Sequence, residues 1–255
     1  GYFDEPDEAI TGVSINISSL PIGEHILYVQ TEDGHGNWSA SPQQVTFKKD
    51  TDGPETAITS PAASTYFAAT PPQFTATITD VGHGDSNVTH FEYKVAQTSP
   101  AYDSGWQTVA IDTPAVTKTV TYTVNSTLWN NVSTGDFTLY VRGKDAANNT
   151  GLQTTVALKK DVVAPAVTIN TPAANSHHKT APTFTATIDD TGTGGSSITD
   201  AKYKVTQGVY DSGLQSLTLS GGSGAIRSVS QVISNTIWNA LVDGDFTLYV
   251  QGTDV

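Results

Sequence analysis

Gly135–Asp145, reading Gly-Asp-Phe-Thr-Leu-Tyr-Val-Arg-Gly-Lys-Asp, is the stretch that decides the fold. It returns at residues 244–254 as Gly-Asp-Phe-Thr-Leu-Tyr-Val-Gln-Gly-Thr-Asp, and more loosely at residues 23–33 as Gly-Glu-His-Ile-Leu-Tyr-Val-Gln-Thr-Glu-Asp. The copies are spaced by about 110 residues, so the chain is a repeat array. Phe137, Leu139 and Val141 alternate with Thr138, Tyr140 and Arg142, the period of a half-buried β-strand. Asp145 closes the strand where a turn begins.

Outward from this strand, the middle unit spans residues 51–160. Alternating runs at 56–59, 74–78, 91–95, 106–111 and 120–124 predict strands before it, and Val156 and Leu158 a closing strand after it. Seven short strands with frequent turn residues and no helical period predict an all-β sandwich. Residues 161–255 repeat the pattern. Phe184 answers Phe74, Tyr203 answers Tyr93, and Trp238 answers Trp129, but the sequence stops before a final strand. Residues 1–50 hold the C-terminal half of a unit. After an acidic opening (Asp4, Glu5, Asp7, Glu8), strands are expected at Val13–Ile15–Ile17, at 25–31 and around Val45–Phe47, with a hairpin turn at 33–37. The junctions at 48–54 and 159–165 are only a few residues long, so neighbouring units should be closely coupled.

Composition narrows the function. The 255 residues include no Cys and no Met, which excludes disulfides, cysteine-zinc sites and thiol catalysis. A chain without an initiator Met is expected to be processed or to be part of something longer. The net charge of -13 argues against nucleic acid and anionic membrane as partners. No apolar run approaches a membrane span, so direct insertion of this segment is not expected. Charged residues are 15%, below the roughly 25% of typical domains.

The units resemble the repeating bacterial and archaeal immunoglobulin-like (Big-type) domains of surface proteins. The resemblance rests on Asp-x-x-x-Pro-x-x-x-Ile at 50–58 and 161–169, on the Gly/Asp loop before Tyr-Lys-Val, and on the closing strand running into Asp-x-x-x-Asn at 141–149 and 29–37. The family's Ala-Gly-Asn turn is Ala146-Ala-Asn-Asn149 here. The resemblance implies an extracellular spacer, adhesive, S-layer or accessory module, located outside the cell or on its surface.

Acidic residues Asp50, Asp52, Asp80 and Asp85 in the middle unit, and Asp161, Asp189 and Asp190 in the last, fall in loops and junctions. Two readings stand side by side: oxygen ligands for calcium, or caps bonding backbone N–H groups in turns. Asp145 also lies at such a place, and it and Asp33 read as turn caps. Asn16, Asn37, Asn87, Asn125, Asn131 and Asn148 open Asn-x-Ser/Thr sequons that an N-glycosylating host could modify. Trp38 and Trp106 lack a clear counterpart in the last unit and are candidates for an exposed contact, whereas Trp129 and Trp238 recur and read as packing residues. No serine, histidine or carboxylate pair forms a catalytic pattern, so no catalytic residue is assigned and no cofactor other than calcium is expected.

These readings converge on a non-enzymatic structural repeat module of an extracellular assembly such as a fibre, sheath, stalk or S-layer. The alternatives are an accessory or spacer module of a larger secreted enzyme and a ligand-binding adhesin. The expected partners are copies of the chain or neighbouring repeats, meeting through the open sheet edge of the last unit.

Overall fold

The computed structural model describes residues 11–221 and 224–255; the acidic opening at residues 4–8 lies outside them. The first unit contributes two antiparallel strands, β1 (Gly23–Val29) and β2 (Gln43–Lys49). The third strand expected at Val13, Ile15 and Ile17 does not form. Those residues are irregular and exposed, because alternation makes a strand only where a neighbour satisfies the backbone N–H and C=O groups.

The middle unit contains β3 (Glu55–Ser60), β4 (Tyr66–Phe67), β5 (Gln73–Thr79), β6 (Val88–Gln97), β7 (Tyr102–Asp103), β8 (Gln107–Ala115), β9 (Thr117–Thr123), α1 (Ser126–Asn130), β10 (Gly135–Asp145) and β11 (Thr154–Lys160). One sheet runs β3-β5-β9. The other runs β4-β11-β10-β6-β7, with β8 also on β6. All seven anticipated strands form, joined by two two-residue strands that are too short to show a period. Along β10 the odd-numbered positions from Phe137 to Asp145 are buried and the even ones lie outward. Gly143 sits where the sheets approach closely, since a Cβ there would lie 2.3 Å from Ile78 Cγ2.

Phe74, Ile78, Phe91, Tyr93, Leu139, Val141 and Trp129 fill the space between these sheets. Burying each such side chain contributes about 1.5–3 kcal/mol. Trp129 sits on α1, capped by the Asn125 side chain accepting from Thr127 N–H at 2.8 Å. Its indole N–H donates to Ala69 O at 3.0 Å, and its ring meets Phe67 and Phe137 edge-on. Lys160 is buried over that ring, and its ammonium donates to Trp129 O and Val132 O at 2.8 and 2.7 Å. Burial pushes the Lys160 pKa below its ordinary value. The threonine wealth has a use on the outer face, where Thr75–Thr121, Thr77–Thr119 and Thr79–Thr117 pair hydroxyls across β5 and β9.

The last unit follows the same plan with β12 (Ala166–Thr171), β13 (Thr183–Asp189), β14 (Asp200–Gln207), β15 (Tyr210–Asp211), β16 (Gln215–Ser216), β17 (Ile226–Val232), α2 (Asn235–Trp238) and β18 (Thr247–Thr253). Its sheets are β12-β13-β17 and β15-β14-β16, with β18 on the other edge of β14. Phe184, Ile188, Tyr203, Val205 and Ile233 form a second, separate core. The paired sheets, the strand order and the two cores are those of tandem immunoglobulin-like β-sandwiches. Where the middle unit has Tyr66 and Phe67 in β4, the last has exposed His177 and His178 outside any strand.

Candidate metal centres at the repeat junctions

Two aspartate triads form where a linker enters a sandwich. Asp50, Asp80 and Asp145 make the first, and Asp161, Asp190 and Asp254 the second. In each, the three residues offer oxygens all within 4.8 Å of one another. The triads are equivalent: one aspartate follows the Lys-Lys pair of the junction, one ends the β5 or β13 phase, and one ends β10 or follows β18.

Backbone and side-chain donors hold some of these carboxylate oxygens and leave others buried without a partner. Asp80 is fully buried, and its Oδ2 accepts from Ser86 N–H and Oγ at 2.7 and 3.1 Å, while Oδ1 has no partner. Asp190, also fully buried, accepts from Ser196 N–H and Oγ at 2.5 and 3.2 Å, and from Thr193 Oγ1 at 2.6 Å. Asp161 is 3% exposed. Its Oδ1 accepts from Val163 N–H, and its Oδ2 is buried without a partner. Asp50 Oδ2 and Asp254 Oδ2 are likewise buried and unpaired. A buried carboxylate oxygen left unmade costs free energy, and three like charges at such spacing repel by about 3 kcal/mol per pair at an effective dielectric near 20. Desolvation pushes the Asp80 carboxyl above its ordinary range, with Asp50 and Asp145 adding to the rise. Asp254 is raised in the same way, by burial first and then by Asp161 and Asp190. A hard divalent cation would answer both the unpaired oxygens and the repulsion.

Glycine makes room for the linker aspartates. A Cβ on Gly84, whose φ is +126°, would lie 2.2 Å from Asp50 Cγ, and one on Gly194 would lie 2.0 Å from Asp161 Cγ. The loops therefore press directly against the carboxylates that enter from the junction.

The triads bring together Asp50, Asp80, Asp161 and Asp190 from the sequence candidates. Asp52 is exposed, and its N–H donates to Asp50 Oδ1 at 3.3 Å. Asp85 is exposed and accepts from Gly82 N–H at 2.9 Å, while Asp189 accepts from Thr191 N–H and Oγ1. Asp85 and Asp189 fasten turns outside the triads, and Asp52 meets the first triad only through its backbone N–H. Asp145 does cap its turn, taking Asn149 N–H at 2.9 Å and Asn149 Nδ2 at 3.0 Å, as Asp33 takes Asn37 at 2.9 Å twice. It belongs to the first triad as well, and Asn149 Nδ2 also donates to Asp50 Oδ1 at 3.0 Å. Asp254 escaped the sequence reading altogether.

The sequon asparagines differ in what their side chains do. Asn125 caps α1, Asn131 Nδ2 donates to Thr127 O, Asn37 Nδ2 donates to Asp33, and Asn16 accepts from Ser18 N–H. Asn87 and Asn148 are exposed, Asn148 with a left-handed φ of 72°. Trp38 is 59% exposed. Trp106 is half-buried in a surface ladder, with the Arg142 guanidinium 4.0 Å from its ring centre and Tyr140 edge-on, and Arg142 paired to Glu92 at 2.6 Å.

No protein-family model matches the sequence, and no match is found among curated proteins. Several solved structures are similar. A tetra-tandem repeat from the extending region of a large adhesion protein is 18% identical, covers 95% of this chain and has a TM-score of 0.36; the chain spans 55% of that repeat segment. A 1.5-MDa bacterial ice-binding adhesin is 15% identical, with 90% of this chain and 72% of that one covered and a TM-score of 0.33. The fibronectin(III)-like modules of Clostridium thermocellum CbhA are 14% identical over 78% of this chain and 86% of theirs, at a TM-score of 0.32. At these values the fold rests on the sandwiches themselves and the function on their junctions. Fold and triads together define a tandem immunoglobulin-like array with an acidic centre at each junction.

Proposed function

We propose that the chain is a non-enzymatic structural repeat module of an extracellular assembly, of the fibre, sheath, stalk or surface-layer type, whose junctions hold calcium. One observation carries this reading: the same buried aspartate triad recurs wherever a short linker meets the next sandwich. A cation gripped by a linker carboxylate and two sandwich carboxylates restrains the linker, and a row of restrained sandwiches is a stiff spacer whose length scales with repeat number. Calcium suits the donor set, being a hard ion that takes about six to eight oxygens in flexible geometry, with water completing what three carboxylates begin. The proposed partners are neighbouring repeats, within the chain or in a second copy. β18 pairs only with β14 among the described residues and offers its other edge to a further strand.

Calcium titration followed by thermal melting tests this. The midpoint should rise with calcium, by the equivalent of about 2.7 kcal/mol when free calcium reaches a hundred times the dissociation constant. Calorimetry should find two sites, one lost in Asp80→Asn and the other in Asp190→Asn. A midpoint that ignores calcium would sink the proposal.

A further inference from the structure

The second triad is built partly by the sandwich that precedes it. Strand β4 pairs in parallel with the end of β11, placing Tyr66 beside Lys159 and Phe67 beside Lys160. From there it makes two contacts with the second centre. Phe67 O accepts from the N–H of Asp161, the linker member of the triad, at 2.9 Å. The Tyr66 hydroxyl donates to Gly195 O at 2.6 Å, reaching 129 residues along the chain into the last sandwich.

That carbonyl belongs to the peptide unit whose other end is the Ser196 N–H, and the Ser196 N–H donates to Asp190 Oδ2 at 2.5 Å. Tyr66 and Asp190 therefore hold opposite ends of a single peptide plane. The loop around it is already wound on Asp190, whose backbone carbonyl accepts from the N–H groups of Thr193, Gly194 and Gly195. A hydroxyl that fixes the plane also fixes the carboxylate hanging from it, and polarising the carbonyl strengthens the N–H bond at the far end. Groups that orient a ligand from behind commonly set affinity in this way.

Resting on the calcium reading above, we propose that β4 is a clasp coupling the second metal centre to the preceding repeat, with Tyr66 as its positioning residue. The first centre supplies a contrast within the same molecule. Ser86 N–H holds Asp80 as Ser196 holds Asp190, yet among the described residues no side chain donates to the Asp85 carbonyl. By reciprocity, if the clasp tightens calcium at the second centre, calcium there tightens the contact between the two sandwiches by the same factor.

The test is Tyr66→Phe, which keeps the ring and removes only the hydroxyl. Calcium calorimetry on the full chain, in Asp190→Asn and Asp80→Asn backgrounds, separates the two centres. The clasp predicts that Tyr66→Phe weakens the second centre about three- to tenfold and leaves the first unchanged. Unchanged affinity at both centres, or an equal loss at both, overturns the clasp while the calcium reading stands. If the wild-type chain takes up no calcium at all, both fall together. Because a general loss of stability would touch both centres, the selective loss distinguishes positioning from mere packing.

Discussion

At the scale of single residues, one charge pair on the outer face repeats from unit to unit. Lys94 Nζ reaches Asp103 Oδ2 at 2.7 Å, and Lys204 reaches Asp211 at 2.9 Å in the next unit. The hydrogen bond from Lys94, with help from Gly105 N–H, holds the Asp103 carboxyl below its ordinary value, and Lys204 with Gly213 does the same for Asp211. A folded-state pKa below the unfolded one gives stability that is present above the ordinary carboxylate pKa. That stability is lost as pH falls through the depressed value. Both carboxylates are half-exposed, so the stability at stake is small and the titration is the sharper readout. In a carboxyl NMR titration, Lys94→Met should raise the Asp103 midpoint and leave Asp211 where it is. If Asp103 stays low, Gly105 N–H alone accounts for it. Single positions also carried a signal for the triads. Asp80 continues the inward phase of Phe74, Ala76 and Ile78, Asp190 that of Phe184, Ala186 and Ile188, and Asp145 that of Phe137, Leu139 and Val141. Asp189 has the opposite parity and is a turn residue. An aspartate in the inward phase at the end of a strand was the readable signal; turn-forming habit hid it for Asp145, and Asp254 was not singled out. The meeting of Asp50 with Asp80, across a junction, was not legible, because no local pattern encodes which loop a linker will touch.

Among the elements, β10 and β18 show how one sequence acquires different energetics in different surroundings. Both carry Thr-Leu-Tyr-Val, yet Leu139 is fully buried while Leu248 is only partly so. β10 lies between β6 and β11, whereas among the described residues β18 pairs with β14 alone. Truncating a fully buried leucine removes its transfer free energy and leaves a cavity. Leu139→Ala should therefore cost about 2–5 kcal/mol in urea unfolding, and Leu248→Ala distinctly less. Equal losses would mean that β18 is covered as completely as β10. Strands such as β5, β6, β10 and β13 were legible because one face of each is buried and the alternation is sustained. β4 was not, since two residues carry no period and its place is set by β11. Val13, Ile15 and Ile17 show the reverse failure, a pattern without a partner.

For the whole molecule, the question is what holds one sandwich against the next. The two cores are separate, and the link from β11 to β12 is short. Val162 and Val163 stand exposed in that link, 54% and 42%, immediately after Asp161. A protease needs several consecutive residues released in extended form, so cleavage there reports local opening of the junction. With calcium absent, the second triad sets three carboxylates against one another and favours that opening; with calcium bound, Asp161 is gripped and the link stays closed. Elastase, which cuts after small aliphatic residues, should therefore cleave at Val162–Val163 in chelator and be slowed there by calcium. The irregular stretch from residue 11 to 22, where Val13 is 71% exposed, supplies the internal standard, because among the described residues no triad includes it and calcium should leave its cleavage unaltered. Mass spectrometry of the fragments reads both sites at once. Equal cleavage of the link with and without calcium would show that the junction is held by β4 and backbone contacts alone, without the ion.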